Sequence, residues 1–484
     1  MMRASTSLFS TFFLLILLSV GCTKPDALYC DESTPCTDPQ APFCDLTGVY
    51  PASAGVGRTC IAEPGGISDG GSESDAAESC MESSECPQTA PICSLNQCAP
   101  CTFGAAGNGD CQARDPGLPF CGNDGGCQEC GRSADCPSAN PVCNVLSGTC
   151  EGCDQHAECS SGACELESGT CVAPGDIIYV DSTQGSDGVG CGAAPGSSAC
   201  QHIDADSSPF SYGLGGLNQV EGTRRFVVLA PGNYIEQTTI SDLAVEIIGG
   251  GGAVLFPPPF EVGKALDIHS GSSVGLSDLT LTGGKGLIQG AGLNCSDSSI
   301  ALHGVIVRDN AGPGLNLSSC EAQVHDSEIR DNGKEGLTIW DTELLLRAVI
   351  VKNNTLQGVI TNGSGLQVER SQFLANSAGG LIIRNTAFLL ENSVIAGNGS
   401  KTINPAVYTG GIEIANNATV TPQIVRHCTI ADNNAPTFLT SAGIDCGQSS
   451  TVDCRSSIVA GNETEGQGGP QFSGGCDFRY SNVI

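Results

Sequence analysis

From about residue 290 onward the chain keeps a strict rhythm. Gly292, Gly314, Gly336, Gly358 and Gly380 recur every 22 residues, and Asn310, Asn332, Asn354, Asn376 and Asn398 each stand 18 places after their glycine. Apolar and polar positions alternate directly after each glycine. Leu293, Leu315, Leu337, Val359 and Leu381 form one expected inward column, and Leu317, Ile339 and Ile383 a second. Asn294, Asn316, Thr338, Ile360 and Ile382 fall between them, on the expected outward side. Alternation with a period of two inside a longer fixed period predicts short strands, one per coil, stacked parallel and in register about 4.8 Å apart. Such a chain is a solenoid. Leucine-rich repeats share the period, but their leucine spacing is missing. The asparagines are expected to form a structural ladder at one turn, amide bonded to amide, in an unusual backbone conformation that asparagine tolerates.

The rhythm continues with longer turns at Gly411 with Asn433 and at Gly443 with Asn462, so loops are expected at 399–409 and 435–442. Inserted turns are where such scaffolds carry function. The sequence stops at Tyr480-Ser-Asn-Val-Ile484, part-way through a coil, and a longer natural chain is expected. At the other end, Arg3 precedes an apolar run from Leu8 to Val20 and then Gly21-Cys22. A basic start, a short apolar core and a small residue before the cut describe a secretory signal, too short for a comfortable membrane span.

The region between is dominated by cysteine. Of the 29 cysteines, 23 fall in the first 200 residues. From Cys30 to Cys171 they form five sets of four, opening at Cys30, Cys80, Cys101, Cys130 and Cys153, the last four sets abutting. Units this small cannot bury a useful core, so disulfides are expected to hold them, with three connectivities open in each. Setting Cys22 aside leaves an even number, which predicts complete pairing. Cys98-x-x-Cys101, Cys127-x-x-Cys130 and Cys150-x-x-Cys153 fall where one unit ends and the next begins, which argues against zinc or redox chemistry. Residues 64–79 read as a Gly/Ser/acidic linker. From Thr23 to Val172 there are 22 Asp and Glu against 4 Lys and Arg, so a self-repelling hydrophilic stalk is expected. The whole chain carries a formal charge of −32, which excludes a phosphate-seeking nucleic-acid binder. The domains expected are a signal over 1–21, a first cysteine-rich unit over 22–63, the linker, tandem units over 80–172, and a solenoid over 173–484.

Ser19-Val20-Gly21-Cys22 resembles the lipobox of bacterial lipoproteins, which implies a lipid on Cys22. Thr23 in place of Asp then implies the outer membrane, and ordinary cleavage near Gly21 is the alternative. The cysteine units look like EGF-like cysteine-rich repeats of bacterial surface proteins. Asp176-Ile-Ile-Tyr-Val-Asp181, Gly185-Ser-Asp-Gly188 and Pro231-Gly-Asn-Tyr-Ile-Glu236, followed by the repeats, resemble the pectin-lyase-like superfamily. That resemblance implies a right-handed parallel β-helix, an all-β class preceded here by a disulfide-rich region of low secondary structure. Lyases, polygalacturonases and epimerases of the superfamily carry calcium-binding Asp clusters with a Lys or Arg base, a GHG histidine beside paired Asp, or an Asp-Pro-His-Asp motif. None of these stands in this sequence.

Candidate chemistry lies in two outward columns. His303, His325, Arg347, Glu369 and Glu391 stand eleven residues after each glycine and are expected to form a solvated strip of ion pairs. Ser296, Ser318, Trp340, Asn362 and Arg384 form the other, where the single tryptophan could stack on a sugar ring. The candidate ligand face is therefore Trp340, Asn362 and Arg384 with Asn294 and Asn316. Asp181, Asp187, Asp204 and Asp206 near the entry are expected to be polar loop residues. Among the later cysteines, Cys191 with Cys200 and Cys446 with Cys454 are the expected pairs, and Cys295, Cys320, Cys428 and Cys476 have no assigned partner. The function expected is a monomeric, non-enzymatic surface lipoprotein binding polysaccharide or matrix. A lyase or epimerase, or a structural envelope component, are the alternatives. No cofactor is expected, calcium being the one alternative.

Overall fold

A computed structural model describes residues 80–484 apart from 88, 103–104, 205–214, 261, 287–289, 402–409, 416–420, 437–440, 448–450 and 465–469, together with the short strands Phe43–Cys44 and Cys60–Ile61. The signal, Cys22, the linker and Asp206 lie outside the described residues.

Each 22-residue coil folds into three short strands, as in Leu315–Ser318, Glu321–His325 and Glu328–Arg330. Identical strands of successive coils pair parallel and in register, Leu293 with Leu315, Leu337, Val359 and then Leu381. The stack makes a ten-stranded sheet from the first strands and a twenty-one-stranded sheet from the others. Inside runs one continuous apolar core, from Ile178 to Val459, with Phe373 and Phe388 its largest side chains in the later coils.

Each strand ends in a residue with positive φ, which turns the chain through a corner. One corner uses Asp297, Ser319, Asp341, Gly363 and Asn385, another Asp326, Ala348, Arg370 and Asn392, and the third Asp309, Asp331, Asn353 and Ala375. Asp and Asn dominate because their short polar side chains tolerate the left-handed region. The unusual backbone is thus carried by the residue before each ladder asparagine, not by the asparagine itself as the sequence suggested.

The asparagine ladder is continuous. Asn354 Nδ2 donates to Asn376 Oδ1 (2.9 Å) and to the Ile329 carbonyl (3.2 Å), while Asn354 Oδ1 accepts from the Asn332 backbone N–H (3.1 Å) and Nδ2 (2.9 Å). The glycine column exists for the same device: a Cβ on Gly314 would lie 2.9 Å from Asn332 Nδ2 and 2.7 Å from the Gly336 carbonyl. Two periodic columns in the sequence are one packing requirement in space. The other two corners carry hydroxyl ladders, Thr342 with Ser364 and Ser371 with Ser393.

One outward assignment and one expected disulfide change. Ile382 sits outward in register between Ile360 and Glu413, yet it is buried. The expected pair of Cys446 and Cys454 does not form: Cys446 bonds Cys476, one coil on, and Cys295 bonds Cys320. Neighbours on adjacent coils are closer than residues eight apart along a turn. Cys191–Cys200 forms as expected. Complete pairing also fails, because Cys428 and Cys454 are buried free thiols, pushed by burial up to about 11 and about 12. Neither is a thiolate at neutral pH, so neither is reactive.

In the cysteine-rich region one connectivity is adopted throughout the third to fifth units, first to third and second to fourth: Cys101–Cys121 with Cys111–Cys127, Cys130–Cys143 with Cys136–Cys150, and Cys153–Cys164 with Cys159–Cys171. The C-x-x-C steps therefore join sulfurs of different disulfides and offer no thiolate to a metal. Small antiparallel hairpins and single 3-10 turns make up most units, but the third also contains the α-helix Ala105–Arg114, which the sequence reading did not foresee.

The fifth unit is no free spacer. Its Ala163 joins Ile177, Tyr179, Ala199, Phe226 and Ile248 in a second apolar cluster on the outer face of the first coils. Arg225 ion-pairs with Glu165 (3.0 Å), and the Tyr179 hydroxyl donates to the Ser161 carbonyl (3.3 Å). The outward side of these strands is apolar because a domain sits on it.

Candidate ligand-binding face

The ten-stranded sheet positions the residues singled out from sequence. Pairing of Ser318 with Trp340 and of Trp340 with Asn362 aligns them in one outward column, and Trp340 is 43% exposed. Beside it runs the column Asp267, Asn294, Asn316, Thr338. Its asparagines are bonded along the stack: Asn316 Nδ2 to Asn294 Oδ1 (2.7 Å) and Asn294 Nδ2 to Asp267 Oδ1 (2.8 Å), with Lys264 on the other Asp267 oxygen (2.8 Å). A primary amide has two N–H groups and two acceptor lone pairs, so each rung retains hydrogen-bonding capacity. Asn362 accepts from Asn385 Nδ2 (2.7 Å), and Arg384 pairs with Glu413 (3.5 Å). The structure thus places all five candidate residues on one face: an indole in the middle, amides on one side and an ion pair at the far end.

Asp267, Lys264 and Glu413 were missed by the sequence reading. They lie on coils whose length departs from 22, so the column rule did not reach them. The alternation of Leu266-Asp-Ile-His269 was the available signal.

The column of His303, His325, Arg347, Glu369 and Glu391 runs along the larger sheet and continues to Arg426. It is laced by Arg347–Glu369 (2.8 Å) and Arg426–Glu391 (2.7 Å), half-buried pairs of small energetic weight. Burial and then the Arg347 charge hold His325 below the usual imidazole range.

At the entry, carboxylates tie down loops. Asp181 accepts the Thr183 and Gln184 N–H groups, Asp187 those of Gln201 and His202, and Asp204 that of Thr239. Glu236, the last residue of the Pro231–Glu236 segment, accepts from the Ile203 and Asp204 N–H groups (3.0 and 2.8 Å), although burial pushes its carboxyl up to about 7.

Glu246 has the same character. It sits above Gly275, where a Cβ would collide with its carboxylate, and accepts from the Ser277 hydroxyl (3.1 Å). Burial pushes it up to about 7, against the pull of Ser277 and Arg225. Its folded pKa is above its unfolded value, so the folded chain holds a proton that the unfolded chain releases. Stability contributed in this way is complete below about pH 4.5 and lost as pH rises through 7. Stability is expected to fall by about 2–3 kcal/mol per such group between pH 5 and pH 8. Denaturation curves at stepped pH check it: Glu246→Gln should flatten the profile to the part contributed by Glu236, and an unchanged slope refutes the assignment.

Against known proteins, a family model described as "Right handed beta helix region" matches residues 289–482, and one described as "Family of unknown function (DUF8331)" matches residues 67–177. Comparison with curated proteins finds no match. Among solved structures the chain is similar to the pectate lyase Pel9A, at 13% identity and a TM-score of 0.41, over 63% of this chain and 79% of that one. It is also similar to the alginate lyase from Paenibacillus sp. str. FPU-7, at 14% identity and a TM-score of 0.32, over 53% and 92%. A third is the mannuronan C-5 epimerase AlgE4 A-module of Azotobacter vinelandii, at 12% and 0.31, over 54% and 91%. The coils of this chain are a right-handed parallel β-helix, joined to a disulfide-rich region of its own.

Proposed function

We propose that the protein is an exported envelope lipoprotein, anchored through Cys22 and displayed at the cell surface, that binds polysaccharide on the sheet face around Trp340 without cleaving it. The observation that carries this reading is the half-exposed indole on an in-register parallel sheet. Ser318, Asn362 and Thr338 lie beside it, with the amide ladder of Asn294 and Asn316 next in line. A ring stacked on the indole would present its hydroxyls to side chains that both donate and accept. Three acids of this face are engaged, Asp267 by Lys264 and Asn294, Glu413 by Arg384, and Asp445 by the Gly447 N–H, which disfavours them as general bases. Twenty-two disulfide-bonded cysteines among the described residues fit an oxidising compartment, and the lipobox supports the anchor. Among the described residues no helix is long and apolar enough to cross a membrane.

The protein contains one tryptophan, so its fluorescence reports this face directly. Titration with uronate and neutral polysaccharides, with and without calcium, should give a saturable shift in emission. Trp340→Ala should weaken retention on the same glycans about tenfold or more. Growth of ultraviolet absorbance from unsaturated uronate products would overturn the binding-only reading in favour of a lyase.

A further inference from the structure

Between the fifth cysteine-rich unit and the β-helix lies a cleft of about 1000 Å³, at the upper end for ligand pockets. It is separate from the Trp340 face. Its wall on the cysteine-rich side includes His156, which is 4% exposed. From the helix side come Asp278, His303, Asp326 and the backbone strip Gly249–Gly252. His303 Nε2 stands 3.5 Å from Asp326 Oδ2, and Gly251 has open space where a side chain would be.

The protonation state of His156 follows from geometry. Its Nδ1 accepts the Cys164 backbone N–H at 3.1 Å, so Nδ1 carries a lone pair. Burial holds the imidazole below its ordinary range, which keeps it neutral, and the single ring proton is therefore on Nε2. That Nε2–H is buried and has no hydrogen-bond partner among the described residues. A buried donor left unsatisfied is costly, and a folded chain tolerates it where an acceptor arrives from outside.

Three classes of occupant can be separated. A metal ion needs the Nε2 lone pair, which the tautomer does not offer. An anion would accept the proton but would face Asp154, Asp278 and Asp326 on the walls. A hydroxyl accepts from Nε2–H and donates to a carboxylate at the same time, and a glycine strip lets a ring approach the backbone. We propose that this cleft is a second carbohydrate site, selective for neutral sugars, in which His156 Nε2–H donates to a hydroxyl oxygen and Asp278 and Asp326 accept hydroxyl protons. The cysteine-rich region is then part of the binding apparatus.

The test uses the full chain with Trp340→Ala, so that the sheet face is silenced. Calorimetric titration with maltotriose and cellotriose, and with tri-galacturonate as the charged counterpart, reads the cleft alone. Asn at position 156 can still accept the Cys164 N–H but has no group at the place of Nε2, and Asp326 is exposed, so neither change should disturb folding. Binding of at least one neutral trisaccharide, at least tenfold tighter than the uronate and weakened about tenfold by His156→Asn and by Asp326→Asn, is the expected result. No neutral binding in the Trp340→Ala background, binding unaffected by His156→Asn, or preference for the uronate would each overturn the proposal. Loss of glycan binding caused by Trp340→Ala alone leaves the sheet-face reading standing by itself, so the two fail separately.

Discussion

Replacing Asn354 with alanine is expected to destabilise the β-helix by roughly 3–5 kcal/mol, a large effect for one side chain on a surface-rich solenoid. The amide is fully buried and makes four hydrogen bonds to its neighbours above and below. Truncation leaves the Asn332 backbone N–H without its acceptor and strips one partner each from Asn332 Nδ2, Asn376 Oδ1 and the Ile329 carbonyl. Asn354→Asp separates geometry from chemistry. A carboxylate still accepts from Asn332 but turns an oxygen toward Asn376 Oδ1, so it should be destabilising as well. Denaturant unfolding followed by circular dichroism gives the magnitude, and hydrogen exchange gives the location, since the Asn332 amide should lose protection first. A change below about 1 kcal/mol would mean that the ladder is decoration and that the apolar core alone sets the coil spacing.

The repeats made most of this legible in advance. A glycine and an asparagine held 18 residues apart over five periods can only be preserved if they meet in space, and they do. The inward columns, the outward place of Trp340 and the ion-pair strip follow from period-two alternation once the coil length is constant. Where coil length varies, the same logic loses its register, which is why Asp267, Lys264 and Glu413 were overlooked. The hydroxyl ladders were invisible for a different reason. Ser and Thr substitute for each other at Thr342, Ser364 and Thr386, so no single residue type marks the column.

The cysteine pairing of the later coils shows another limit. Closeness along the chain suggested Cys446 with Cys454, but in a solenoid the nearest neighbour of a residue is the one a whole coil away, and Cys446 reaches Cys476. The entry coils show a further limit. Nothing in the spacing of Ile177, Tyr179, Phe226 and Val228 signals that their outer side is covered by residues of the cysteine-rich region. His156 stands in no motif that the sequence would single out. Its buried, unpaired nitrogen appears only when the fifth unit is seen seated on the helix.

Removing the Cys153–Cys164 disulfide, with both cysteines changed to serine, should open the fifth unit and destabilise what it covers. The bond closes a stretch of 11 residues in a unit whose only other staple is Cys159–Cys171. Loss of a native disulfide from so small a unit costs about 2–5 kcal/mol, more than its few apolar contacts can offset. The effect should not stay local. Tyr179, Phe226 and Ile248 lose the cover of Ala163, Arg225 loses Glu165, and an apolar patch on the outermost coils becomes exposed. The variant should bind a hydrophobic dye, be cut by protease between residues 153 and 171, and unfold its β-helix at lower denaturant. The matched control is Cys136→Ser with Cys150→Ser in the fourth unit, which should admit protease but bind no dye and leave the helix midpoint unchanged. If both variants behave alike, the fifth unit is a passive spacer and its packing on the helix contributes nothing; if only the first exposes the patch, the cysteine-rich region and the β-helix are one folding unit joined through Val172.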